Sequence, residues 1–179
     1  MPSPSERLIP FYLGKATDSE GRTLTEIQSF DHQKLEAVHD YIQWLFPLQE
    51  RSNFNARAPL LSSDHIQAFQ TDDRLRQALL KSFALMLNFY GCELNDSAEE
   101  IQVSKSANWT ARAQNWLTLG NHNLLRISRI LRSLTILGCA RHAEAFFRLL
   151  TELNSSTEGR PIGRSYEFWE DAVRIQKSP

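Results

Sequence analysis

The stretch TDDRLRQALLKSFALMLNFYG, Thr71 to Gly91, constrains the fold more than any other part of the chain. Leu75, Leu79, Phe83, Met86 and Tyr90 recur at helical spacing and share one face. Leu80, Leu85, Leu87 and Phe89 widen that face on both sides, so the helix has to be covered from more than one direction. Thr71 is the expected N-cap, Asp72 and Asp73 suit the positive end of the helix dipole, and Gly91 supplies a left-handed stop. This run is the expected central helix.

A second helix is expected from Asp31, where Leu35, Val38, Ile42, Leu45 and Phe46 gather on one side before Pro47 ends the run. Tyr41 and Trp44 widen its apolar arc to about 200°, more than an ordinary surface helix needs. Such large aromatics are read first as core. Further helices are expected over Ser62 to Gln70, with Ser62 or Ser63 as cap, and over WTARAQNWL. Three more follow: LLRISRILRSLTIL up to Gly138, ARHAEAFFRLLTEL, and an amphipathic turn or two in SYEFWEDAV, where Tyr166, Trp169 and Val173 share a face. The segment ELNDSAEEIQVSKSAN reads as a loop, and no strand pair with a hairpin turn signal is evident. The expected fold is therefore all-α, a single compact multi-helix domain over residues 29–176 behind a mostly irregular segment, residues 1–28, rich in Pro, Ser, Gly and charge.

A chain of 179 residues with 41% hydrophobic content is long enough to bury one core. Twenty basic residues against twenty-one acidic ones give a net charge of -1, which provides no general attraction to nucleic acid or to an anionic membrane. The N-terminal MPSPSERLIPFYLG does not have the pattern of a signal peptide, and no apolar run reaches the roughly 20 residues of a membrane helix. An intracellular, cytoplasmic location is expected, with peripheral membrane association left open. Cys92 and Cys139 suit reduced, buried thiols rather than a disulfide framework.

Four pieces in register, YIQWLFPL, NARAPLL, MLNFYG and NHNLLRISRILRSLTILG, resemble the conserved domain of the opioid growth factor receptor family. The similarity runs from about Leu35 to about Leu150. The resemblance implies a peptide-receptor-like binding module with a peptide or protein partner. Animal members of the family are associated with an enkephalin-type opioid peptide, with growth regulation, and with nuclear and membrane fractions. It carries no functional residue onto this chain.

Two surfaces stand out as candidate ligand sites. On the helix NHNLLRISRILRSL, Leu124, Ile127, Ile130, Leu131, Leu134 and Leu137 face a core, leaving Arg126, Arg129 and Arg132 on the other side near His122. Three guanidiniums beside a helix N-terminus suit a phosphate or carboxylate, which gives the alternative reading of an anion, phospholigand or nucleic-acid site. Ion pairing or solvation of the same residues is the plainer reading, and Leu125 and Ile136 within the face suggest contact with another segment. The second surface is the line Glu36, Asp40, Trp44 at i, i+4, i+8, two carboxylates beside an indole, a receiver for the ammonium and aromatic groups of an opioid peptide.

Catalysis has little support. The five histidines, His32, His39, His65, His122 and His142, show no metal-ligand spacing, and there is no G-x-S-x-G elbow or phosphate-cradling glycine loop. No cofactor, metal or catalytic residue is expected. Each cysteine follows a glycine at an expected helix C-terminus, where the dipole disfavours a thiolate.

Overall fold

The structure is a computed structural model, and it describes residues 2–97 and 99–174. Among them are ten helices and one two-stranded sheet, so the fold is mostly helical but not all-α. The chain divides into two compact units, Met1–Ser82 and Phe83–Pro179.

In the first unit, α1 (Pro4–Tyr12) and α2 (Leu24–Gln28) lie where irregular structure was expected. Both begin with a reciprocal capping box, Ser3 with Glu6 and Thr23 with Glu26, which satisfies the free N–H groups of a first turn. Pro4 costs α1 nothing, because a first-turn residue has no helical N–H bond to lose. The expected helix from Asp31 is two short ones, α3 (His32–Ala37) and α4 (Ile42–Leu45). Val38 ends α3 in an extended conformation at φ -95° and ψ 136°. The break has a physical cause in the side chains on either side of it. Tyr41 folds back so that its hydroxyl donates to the Leu35 carbonyl at 2.9 Å, and Asp40 turns to meet Arg22 at 2.7 Å.

The core of this unit is aromatic. Phe11 meets Trp44 edge-on at 5.1 Å, Tyr12 meets Phe69 at 4.7 Å, and Phe30 meets Tyr41 at 5.9 Å. Tyr41 and Trp44 are at most 1% exposed, so the core reading of this aromatic run holds. Asp18 is buried as well, and it is fully used. Its carboxylate accepts the backbone N–H groups of Glu20 and Arg22 and pairs with the Arg22 guanidinium. Then come α5 (Ser63–Thr71), capped by Ser62, and α6 (Asp73–Tyr90), inside which the unit boundary falls. Thr71 does not cap α6: its hydroxyl donates back to Gln67, and Asp72 accepts the Arg74 N–H instead.

In the second unit, Gly91 (φ +81°) ends α6, and the segment expected as a loop forms an antiparallel hairpin, β1 (Cys92–Asp96) and β2 (Ile101–Lys105). Its side chains alternate, with Cys92, Ile101 and Val103 buried and Glu93 and Gln102 exposed. α7 (Trp109–Trp116), α8 (His122–Ile136), α9 (Ala140–Ser156) and α10 (Ser165–Arg174) follow. Here α8 is the helix on which α7, α9 and α10 pack, a central place the sequence had suggested for α6. Two indoles fasten the unit: Trp116 Nε1 donates to Tyr90 O at 2.9 Å and Trp169 Nε1 to Leu124 O at 3.0 Å. The hairpin is held on α9 through β2.

Candidate functional site

The arginines of α8 do not form one solvent-facing row. Arg126 is buried, at 6% exposure, and its Nη1 donates to Asn123 Oδ1 at 3.2 Å one turn back. Arg129 and Arg132 are half-buried, and of these four residues His122 alone is exposed. All four have partners within the chain. The helix is buried around most of its girth, with Ser133 and Thr135 as well as its leucines and isoleucines away from solvent.

The acid and indole line does not form either, because Glu36 lies in α3, Asp40 in the break and Trp44 in α4. Asp40 pairs with Arg22, and the Trp44 indole lies inside with Arg7 stacked over it at 5.3 Å.

A different set of charged side chains converges in the second unit. Arg141, Glu144 and Arg148, at i, i+3 and i+7 on α9, line an open cleft of about 400 Å³ together with Glu99, Glu100 and Ile101 of the hairpin. The hairpin is pinned at this end from both strands. Arg148 Nη2 donates to Ile101 O at 3.0 Å, and His142 Nε2 lies 3.0 Å from Asp96 Oδ2. Its turn is tied internally, with Ser97 Oγ accepting the Glu100 N–H and donating to the Glu100 carbonyl. Among the described residues, none of Glu99, Glu100, Arg141, Glu144 and Arg148 pairs with another in a salt bridge. The cleft thus offers guanidinium and carboxylate groups side by side, each with bonding capacity to spare. That arrangement suits a ligand carrying both an ammonium and a carboxylate.

The sequence reading passed over these residues because the hairpin was taken for a loop. The spacing of Arg141, Glu144 and Arg148 along one helix face was the available signal. Both cysteines are buried and neither is in a disulfide, and burial pushes the Cys92 thiol up to about 12, far from thiolate chemistry at neutral pH. Among the described residues no three His, Cys, Asp or Glu side chains are grouped to hold a metal, and no helix is long and apolar enough to cross a membrane.

The opioid growth factor receptor (OGFr) conserved region matches residues 9–177. The chain belongs to the opioid growth factor receptor family. It is 38% identical over 122 residues to the opioid growth factor receptor of Mus musculus, covering 68% of this chain and 19% of that protein. To the opioid growth factor receptor-like protein 1 of Mus musculus it is 44% identical over 110 residues, 60% of this chain and 22% of the relative. The receptor-like protein 1 of Xenopus tropicalis is 39% identical over 135 residues, 73% and 25% of the two chains. This chain's match therefore spans about a fifth to a quarter of the length of these relatives. No solved structure matches. The opioid growth factor receptor region takes in the hairpin, α9 and the cleft between them as well as most of the first unit.

Proposed function

We propose that this opioid growth factor receptor family chain is a non-enzymatic, intracellular peptide-binding module whose ligand occupies the cleft between the hairpin and α9. The observation that carries the reading is the juxtaposition of Arg141 and Arg148 with Glu100 and Glu144 across one cleft without mutual salt bridges. A short peptide with free ends presents the complementary pair, an ammonium and a carboxylate. The relatives' name, opioid growth factor receptor, sets the class of peptide to try first. The buried, protonated Cys92 thiol supports binding rather than covalent chemistry.

Calorimetry with an enkephalin-type opioid pentapeptide tests this. Hydrogen bonds to charged groups contribute about 1.5–3 kcal/mol, so Arg141→Ala and Glu144→Ala should each weaken binding roughly tenfold to a hundredfold. Binding that is absent in the wild type, or unchanged in both variants, contradicts the proposal.

A further inference from the structure

The hairpin has a second surface, the outer edge of β1. Its strands pair with Cys92 opposite Lys105, Leu94 opposite Val103 and Asp96 opposite Ile101. In an antiparallel ladder, hydrogen-bonded and non-hydrogen-bonded pairs alternate. Ser106 N donates to Gly91 O at one end and Ser97 N to Glu100 O at the other, which fixes the phase. The pairs at Glu93 and Asn95 are therefore the hydrogen-bonded ones, and the backbone groups of Cys92, Leu94 and Asp96 point away from β2, with Cys92 buried and the edge open from Leu94 onward. The corresponding edge of β2 is in use, since Ile101 O accepts Arg148 and the strand packs on α9.

Natural sheets block an open edge with proline, a bulge, an inward charge or a covering element. β1 runs through five regular pairs with no proline and no bulge, and Glu93, Asn95 and Asp96 are exposed. The charges it carries are both negative. Glu93 lies on the polar face with Asn95, Gln102 and Ser104, and Asp96 is 44% exposed beside His142. Leu94, half-buried, is on the other face with Val103. A second copy of this edge would set like charges against each other, which disfavours self-pairing. An extended segment with basic residues over Glu93 and an apolar residue beside Leu94 is complementary in charge and in facing.

We propose that the open edge of β1 takes up an extended, basic segment of a partner protein as a third strand of the sheet. This goes beyond the peptide cleft and is independent of it. Main-chain bonds to Leu94 would supply the attachment and Glu93 the selectivity, Asp96 being bonded to His142.

The test uses the full chain and a capped five-residue peptide alternating lysine and valine. Amide exchange followed by NMR should show the Leu94 N–H slowed at least tenfold by this peptide. A glutamate and valine peptide, and the lysine peptide N-methylated at alternate residues, should leave it unchanged. Glu93→Lys should reverse the preference between the two charged peptides, and Arg141→Ala should have no effect. Equal action of the N-methylated peptide, an unaffected Leu94 amide, or sedimentation showing that the chain dimerises through this edge overturns the proposal.

Discussion

Asp72 joins α5 to α6 with a single carboxylate. It accepts the Arg74 backbone N–H at 2.9 Å and two guanidinium N–H groups of the same residue at 3.1 and 2.7 Å. The guanidinium bonds above all, and the N–H after them, hold its carboxyl at about 2 against an ordinary 3.8. A folded-state value below the unfolded one means that its contribution is fully present above about 4 and fades as pH falls toward 2. Carbon-detected NMR titration of the Asp72 carboxyl should give a midpoint near 2 in the wild type and a higher one in Arg74→Ala, still below the ordinary value because the backbone N–H remains. The sequence placed this cap one residue early, at Thr71, because Thr and Asp are both good cap residues and periodicity does not choose between neighbours. Arg126 was harder to foresee: its burial depends on Asn123 presenting an acceptor one turn away inside a packed unit. Trp44 was legible as core, but its alignment with Glu36 and Asp40 rested on a helix that Val38 interrupts.

Among the elements, the periodic helices α5 to α10, of which α5 and α8 carry side-chain caps, were readable because local chemistry and tertiary burial agree in them. The hairpin was not, although CELND and IQVSK both alternate, because its strands are short and the turn lacks an Asn-Gly or Asp-Gly signal. α1 and α2 were hidden by prolines and glycines, of which Pro4 and Pro10 lie inside α1 and Gly14 and Gly21 in the connection between the two helices. Gly91 marks the passage from α6 into the hairpin and is fixed twice over. Its φ of +81° disfavours any side chain, and an added Cβ would come within 2.8 Å of the Arg112 Cβ and 2.9 Å of the Trp109 backbone. Gly91→Ala should therefore destabilise by roughly 2–4 kcal/mol in urea denaturation, combining the left-handed cost with overpacking. Gly14→Ala has the same sign of φ but nothing within 4 Å, and should cost only about 1 kcal/mol. Equal losses at the two positions would contradict the close approach of α7 to Gly91.

At the scale of the whole chain, periodicity pointed to an all-α protein, which the hairpin corrects to a mostly helical one, and four sequence pieces pointed to its family. The cleft proposed to take a ligand was not legible, because it joins a hairpin to residues about forty positions further on. In each unit most of the large aromatics are buried, with Phe54 and Phe168 as exposed exceptions, and the proposed recognition rests instead on charged side chains and backbone of the hairpin and α9. Three of the four tryptophans, Trp44, Trp116 and Trp169, are at most 1% exposed, and Trp109 is half-buried under Lys105. Acrylamide quenching of tryptophan fluorescence in the folded protein tests that division of labour most directly. The expected result is that Trp109→Phe removes nearly all quenchable emission while Trp44→Phe leaves it in place. Quenching that disappears with Trp44 instead would put the aromatic run on the surface and return it as the binding site.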